Sequence, residues 1–501
     1  MQTYRDTFRD GDDFQHRESA PTAAGHPAQP KKRWIMNAFN MSCAGHMAPG
    51  LWKHPKDRSA NYHDIENWTE LSKLLEKGKF NGMFIADVLG AYDVYGDSPD
   101  GAVRTGAQFG VDDPLLVISA CAAVTTNLSF GVTKSVSYEA PYTLARSFST
   151  LDHLTKGRIA FNIVTGYLTS AAKNFGFEQQ TEHDERYLRA EEYVSVLYKL
   201  WESSWRTDAV VRDRARDLYA DPARVRKIHH AGKYYKVDGP SLVEPSPQRT
   251  PLIYQAGTSA AGVAFAGRHA EAVFLMGPNP KKVRVHVDNL RATAAKGGRD
   301  PQSIKMIVKL LLIVAPTDAE ARAKDAELRA YASNEGAVVL FGGWLGEDLS
   351  IYSAEQDLRL VDNPAVKNIV KGYAAMHSDE TRTWNRETFT DYFKLEGLGP
   401  TIVGSPQTVA DRMQVWVDEG DVDGFNLSYA LYPGTFEDIV ELLVPELQKR
   451  GVHWKEYPTR EDGRGIYARE GLYGVGQERL RDDHPGARYK WDAGEEPPAL
   501  D

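Results

Sequence analysis

A short turn of small and hydroxyl-bearing residues follows an apolar run at 251–256. The turn reads Gln-Ala-Gly-Thr-Ser-Ala-Ala-Gly at 255–262 and continues into a predicted helix. Backbone N–H groups and the hydroxyls of Thr258 and Ser259 at such a helix N-terminus are suited to binding an anion such as a phosphate. The alternative interpretation is a tight turn without a ligand, because many glycine-containing turns only reverse the chain.

His183 and Tyr187 lie at the start of another predicted helix, four residues apart. Residues at this spacing project from the same helix face, so both side chains could hydrogen-bond one ligand. In the alternative interpretation Tyr187 packs against the core and His183 caps the helix.

Polar side chains also stand where predicted strands end. A buried carboxylate, amide or hydroxyl needs a partner, so these residues either cap neighbouring helices or face a ligand. They are Asp87, Thr133, Ser135, Asn162 and Thr165. His46 follows the first predicted strand, close in sequence to Phe39, and could act as an acid or orient a peroxide oxygen. An inert loop histidine is the alternative.

The elements that must position these residues are repeated strand–helix units. From residue 31 onward, short apolar runs rich in β-branched and aromatic residues alternate with longer amphipathic stretches, which is typical of a barrel or a doubly wound parallel sheet. Eight runs complete one barrel, so the predicted fold class is α/β, a single (β/α)8 TIM barrel. The predicted strands are 34–39, 82–87, 128–133, 158–164, 251–256, 271–276, 304–314 and 424–428.

The predicted barrel covers residues 31–451 and carries insertions at about 203–247 and 336–400, which we expect at its C-terminal mouth. Residues 1–30 predict a flexible N-terminal arm. Residues 452–501 predict an extended C-terminal tail that packs on a neighbouring subunit.

The charge and cysteine content exclude several classes of protein. The formal net charge is −9 without a sustained stripe of Lys and Arg, so nucleic acid is not an expected partner. The densest basic stretch, 212–227, is interleaved with acidic residues and predicts a solvated, helical surface. Cys43 and Cys121 are too few for a disulfide framework or a zinc site, and no apolar signal or membrane-spanning run occurs. We therefore expect a cytoplasmic protein without a metal centre.

Eight motifs occur in a fixed order along the chain. They are FIAD at 84–87, GVT at 131–133, YTLAR at 142–146, TLDHLTKGR at 150–158, NIVT at 162–165, NFG at 174–176, HDERY at 183–187 and QAGTS at 255–259. Together they resemble the bacterial-luciferase-like superfamily, and more narrowly its nitrilotriacetate and dibenzothiophene-sulfone monooxygenase group. The resemblance covers about residues 33–450 and leaves out the arm and the tail.

The resemblance implies a monooxygenase that uses reduced FMN and O2 to oxidise a small sulfone-like, aromatic or amine-type compound, with cleavage of a C–S or C–N bond. A separate NAD(P)H:FMN reductase would supply the reduced FMN, in keeping with the absence of a Gly-x-Gly-x-x-Gly fingerprint. It also implies a homodimer or a homotetramer.

The resemblance carries a set of flavin ligands over to this chain: Asp87, Thr133, His183, Tyr187, Thr258 and Ser259. The phosphate would lie at Thr258 and Ser259 near Tyr187, with Asp87 and Thr133 closer to the ring. Asn162 and Thr165 would contact the ring or the substrate.

The candidate catalytic residues are His46 and Asn162, and the resemblance places Phe39 at the substrate site. Aromatic residues of the second insertion, Trp344, Tyr352 and Trp384, could close over the cavity, and Trp344 is the candidate substrate contact. Two alternatives stay open: a deazaflavin-dependent oxidoreductase that transfers hydride, and a non-catalytic flavin-binding protein. The aromatic content of 336–400 favours an apolar or aromatic substrate without naming it.

Overall fold

Eight apolar segments form parallel strands that close into a barrel. The computed structural model describes residues 32–377 and 381–500, so the predicted arm at 1–30 lies outside the described residues. The strands are β1 (Ile35–Met41), β2 (Gly82–Ala86), β3 (Ser129–Ser135), β4 (Ile159–Val164), β5 (Leu252–Gln255), β6 (Ala272–Leu275), β7 (Lys305–Val314) and β8 (Gly424–Ser428). Their bounds agree with the predicted ones to within two residues, and the (β/α)8 barrel is confirmed.

Strand β8 closes the barrel between β1 and β7. Its Gly424 pairs in register with Ile35 of β1 on one side and with Ile307 of β7 on the other. Farther along β7, Leu311 pairs with Thr401 of a short parallel strand, Thr401–Gly404, that the sequence analysis did not predict. This extra strand satisfies backbone groups of β7 that continue past its pairing with β8.

Side chains alternate along each strand between the barrel interior and the surrounding helices. The interior contains Ile35, Phe84, Tyr254, Phe274 and Ile307, and the outward-facing residues join the large core beneath the helices.

No helix within residues 32–377 and 381–500 is long and apolar enough to cross a bilayer. The α-helices are Ile65–Lys77, Asp100–Thr105, Ile118–Ala123, Pro141–Leu154, Thr169–Asn174, His183–Tyr198, Ala260–His269, Pro280–Lys296, Asp318–Tyr331, Asn334–Leu345, Pro364–Met376, Arg386–Glu396, Pro406–Gly420, Gly434–Asp438, Val444–Arg450 and Glu470–Tyr473.

The two long insertions differ in structure. The first contains two small antiparallel ribbons, which pair Val210–Asp213 with Leu218–Ala220 and His230–Ala231 with Lys236–Val237. The predicted helical surface at 212–227 is therefore wrong. The Asp213 carboxylate accepts hydrogen bonds from the N–H groups of the second and third residues after it, and this turn reverses the chain. The second insertion is largely helical and has its own apolar cluster.

The tail contains little regular structure, but it packs against its own barrel. Ala468 and Leu472 lie against the interior side chains of the barrel at its N-terminal end. Between them, Arg469 Nε donates to Glu271 Oε1 at 2.6 Å, and both residues are buried. These contacts are made within one chain, and packing of the tail on a neighbouring subunit stays a prediction.

Candidate active site

A cavity of about 960 Å³, including its open mouth, lies where β2, β3, β4 and β5 end. Its position at the carboxyl ends of the strands is the one that barrel enzymes use for their active sites. Three of the predicted flavin ligands line it, Asp87, His183 and Tyr187. The other polar side chains in its wall are Ser135, Tyr138, Thr165, Tyr167, Arg186 and Gln255. Of the strand-end residues, Asp87, Ser135 and Thr165 therefore share this cavity, whereas Thr133 and Asn162 do not line it.

Ser259 caps the helix Ala260–His269 beside this cavity. Its Oγ accepts a hydrogen bond from the N–H of Gly262 at 3.1 Å and lies 3.2 Å from His183 Nε2. The turn therefore combines a helix N-terminus, which carries a partial positive charge, with an imidazole and a hydroxyl. Thr258 directly precedes this cap.

Tyr187 lies over the same turn. A Cβ atom at Gly257 or at Gly262 would be 2.6 Å or 2.8 Å from the Tyr187 hydroxyl, so both positions need glycine for this close approach. Burial raises the pKa of Tyr187, and the phenol is a neutral hydrogen-bond donor at ordinary pH. The alternative in which His183 caps its helix is wrong, because Glu182 is the N-cap and its carboxylate accepts hydrogen bonds from the N–H groups of Asp184 and Glu185.

Asn162 and Thr133 hydrogen-bond each other in the barrel interior. They are register partners on β4 and β3, both are buried, and Asn162 Nδ2 donates to Thr133 Oγ1 at 2.9 Å. Asn162 Oδ1 is buried without a hydrogen-bond partner among the described residues. A buried acceptor of this kind needs a donor, which a ligand N–H can supply.

The Asp87 carboxyl directly follows β2 at the cavity wall. Burial raises the pKa of Asp87 to about 7, although the positive charge of Lys134 opposes the shift. Lys134 is itself paired with Asp113, with 2.8 Å between Nζ and Oδ1. Asp87 can therefore act as a donor when protonated and as an acceptor when ionised, near neutral pH.

His46 is buried beside Phe39, with 4.5 Å between ring centroids in an edge-to-face arrangement. Burial lowers the pKa of His46 to about 3, with a smaller contribution from the positive charge of Lys309. Its ring is therefore neutral at physiological pH, which argues against a protonated acid and leaves the orienting role as a prediction.

Sequence reasoning missed a hydrogen-bonded cluster that links the second insertion to the cavity wall. Trp344 Nε1 donates to Tyr92 Oη at 3.1 Å, and Tyr92 Oη donates to Gln108 Oε1 at 2.8 Å. Tyr92 Oη also lies 2.7 Å from Tyr167 Oη, and Gln108 Nε2 donates to the carbonyl of His46 at 2.9 Å. The aromatic residues that follow the second strand were the available signal, but their partners are far away in sequence.

Two other aromatic residues do not take the place predicted for them. Trp384 is fully buried within the second insertion, where its ring stacks on Tyr392 with 5.1 Å between centroids. Tyr352 packs at the edge of the same apolar cluster. Neither lines the cavity, because the insertion needs a core of its own. Trp344, the candidate substrate contact, is buried in the same cluster and does not line the cavity either.

Comparisons with known proteins agree with this geometry. Residues 47–423 match the model of the luciferase-like monooxygenase family. The chain is 49% identical to a long-chain alkane monooxygenase of Geobacillus thermodenitrificans, over 92% of this chain and 98% of that protein. It is 44% identical to a dimethyl-sulfide monooxygenase of Hyphomicrobium sulfonivorans, over 92% and 94%. A dibenzothiophene-sulfone monooxygenase of Rhodococcus erythropolis is 35% identical, over 82% and 91%.

The crystal structure of DmoA from Hyphomicrobium sulfonivorans superimposes with a TM-score of 0.87 at 44% identity, over 92% of this chain and 96% of that one. The chain belongs to the luciferase-like monooxygenase family and is a flavin-dependent monooxygenase. Likeness to a coenzyme F420-dependent secondary alcohol dehydrogenase, at 14% identity and a TM-score of 0.52, shows the fold alone. The hydride-transfer alternative therefore gains no support from this likeness.

Proposed function

We propose that this chain binds reduced FMN, delivered by a separate NAD(P)H:FMN reductase, and uses O2 to oxidise a small apolar substrate. The observation that carries the proposal is the cavity at the strand ends, where Asp87, His183 and Tyr187 face one space beside the Ser259 helix cap. These groups come from separate strand ends and helices, and an anionic aromatic cofactor gives them a common partner.

The residues fit FMN in their chemistry. Ser259 and His183 at the helix N-terminus suit the phosphate, and the two glycines allow the Tyr187 hydroxyl to approach this turn closely. Asn162 Oδ1 offers a buried acceptor for a ring N–H. Bound reduced FMN would supply the electrons that activate O2. The protein then holds the cofactor, orients the substrate and excludes water.

The apolar character of the proposed substrate is supported by the wall of the cavity itself. The aliphatic side chains that line it are Val88, Leu89, Ile163, Val164, Leu168 and Ala171. We propose a thioether, with cleavage of a C–S bond, as the first candidate and an alkane as the second. The named substrates of two relatives support these classes.

The test combines anaerobic titration with reduced FMN and turnover under labelled oxygen. We expect stoichiometric binding, oxygen consumption that depends on dialkyl sulfide or alkane, and one atom of labelled oxygen in the product. Nitrilotriacetate is the polar control, and we expect no oxidation of it. Absence of binding would reject the proposal, and binding without oxygen-dependent turnover would reject it in favour of a non-catalytic flavin protein.

We also propose a cellular location and an oligomeric state for this protein. Cys43 and Cys121 are buried free thiols, which supports a reducing, cytoplasmic location. We also propose a homodimer or homotetramer, and light scattering of the purified protein would test it, a monomer being the contrary result.

A further inference from the structure

Arg186 places a buried positive charge at the wall of the cofactor cavity. The residue is 6% exposed and lines the cavity on the helix face that also carries His183 and Tyr187. One guanidinium nitrogen, Nη1, donates to the carbonyl of Gly166. Its Nε is buried and has no hydrogen-bond partner among residues 32–377 and 381–500.

The charge of Arg186 is not matched by a carboxylate hydrogen bond in the described part of the chain. Its neighbour Glu182 uses its carboxylate to accept hydrogen bonds from the N–H groups of Asp184 and Glu185. Burial lowers the pKa of Arg186, which reflects the cost of removing the cation from water. Burying a cation that keeps an unpaired hydrogen-bond donor raises the free energy of the folded protein, unless an anion binds to it.

The position of Arg186 indicates which part of the cofactor that anion is. His183, one helical turn earlier on the same face, contacts the Ser259 cap at 3.2 Å. An anion at this cap therefore lies beside the face from which Arg186 projects. We propose that Arg186 binds the 5′-phosphate of FMN and gives the site a preference for FMN over riboflavin. This inference rests on the proposed function.

Oxidised FMN and riboflavin differ only in the phosphate, so their affinities separate this role from a structural one. Binding of both is measured by flavin fluorescence for the wild type, Arg186→Gln, Arg186→Lys and the control Arg189→Gln. Arg189 is one turn further along the helix and lines a neighbouring surface cleft instead. We expect Arg186→Gln to weaken FMN binding about tenfold to a hundredfold and to leave riboflavin binding unchanged. Arg186→Lys should lose less, and Arg189→Gln should match the wild type.

Equal losses for FMN and riboflavin would overturn the inference, because they would show that Arg186 only holds the Gly166 loop. Unchanged FMN affinity, or a loss confined to reduced FMN, would also overturn it. If Arg186→Gln does not fold, the affinities of Arg186→Lys for FMN and riboflavin are compared instead. A loss for FMN alone would support the inference, and equal losses for both flavins would overturn it. A wild type that binds neither flavin would instead reject the proposed function.

Discussion

Burial raises the pKa of the Asp87 carboxyl and the positive charge of Lys134 lowers it, and the effect of burial is the larger of the two. The resulting pKa of about 7 lies well above the value of about 4 in an unfolded chain. Between these pH values the folded protein keeps a proton that the unfolded chain releases. The contribution of Asp87 to the free energy of unfolding therefore falls as pH rises from 4 to 7.

The variant Asp87→Asn should remove this pH-dependent loss of stability, because the amide does not ionise. We expect it to equal the wild type in stability near pH 4 and to exceed it by about 2–4 kcal/mol at pH 8. Urea unfolding of the apo protein at several pH values measures the difference. A difference that does not change with pH would show that the carboxyl ionises normally.

His46 gives a second prediction, which concerns turnover. With a pKa of about 3 its ring is neutral at pH 6 and at pH 8, so its contribution should be the same at both. We expect His46→Ala to lower coupled oxidation about a hundredfold at each pH without weakening flavin binding. His63→Ala, at an exposed loop histidine, is the control. A ratio of wild-type to variant activity that changes across this range would contradict a neutral role.

The sequence predicted individual residues best where a local motif defines them. His183 and Ser259, both predicted as flavin ligands from such motifs, lie in contact, because each stands at the start of a helix that follows a barrel strand. Their binding of flavin stays a prediction. Trp344 and Tyr92 could not be paired, since they are 252 residues apart and their contact depends on how the second insertion packs. Arg186 lay within a recognised motif, yet its burial is visible only in three dimensions.

Among the elements, the turn between β5 and the helix Ala260–His269 has little room for added volume. A Cβ at Gly257 would lie 2.5 Å from Gln255 Nε2 and 3.0 Å from Gly262 Cα. We expect Gly257→Ala to move this turn, to destabilise the protein by about 1–3 kcal/mol and to weaken FMN binding at least about tenfold. Calorimetry and flavin titration measure both effects.

Gly297 provides the matched control for this element. It also borders a helix, but the atoms nearest a Cβ there are 3.4 Å and 3.6 Å away, so Gly297→Ala should leave flavin affinity unchanged. Equal flavin affinity in Gly257→Ala and the wild type would show that the turn does not bind the cofactor.

The elements themselves were largely predictable, because barrel strands are short apolar runs between amphipathic helices. The exceptions lie in the insertions. The ribbon at Val210–Asp213 depends on a turn made by one aspartate, and the strand Thr401–Gly404 exists because β7 is longer than its neighbours. Neither cause produces a periodic pattern that could be read in advance.

At the scale of the whole molecule, a buried ion pair joins the tail to the barrel. Arg469 donates to both oxygens of Glu271, at 2.6 and 2.9 Å. We expect Arg469→Ala to lower the free energy of unfolding by about 3–5 kcal/mol, because Glu271 would stay buried and unpaired. Thermal unfolding measures the loss. Arg464→Ala, with an exposed side chain, is the control, and equal stability of the two variants would contradict a stabilising tail.

The packing of Ala468 and Leu472 beneath the barrel also affects how small molecules enter and leave the barrel interior. With the far end of the axis filled by side chains, the described structure offers the mouth as the passage between the interior and solvent. Cofactor, oxygen, substrate and product would then enter and leave through the same opening. Each turnover would therefore require that they bind and dissociate in a defined order. A product slow to leave would block the next substrate as effectively as an inhibitor.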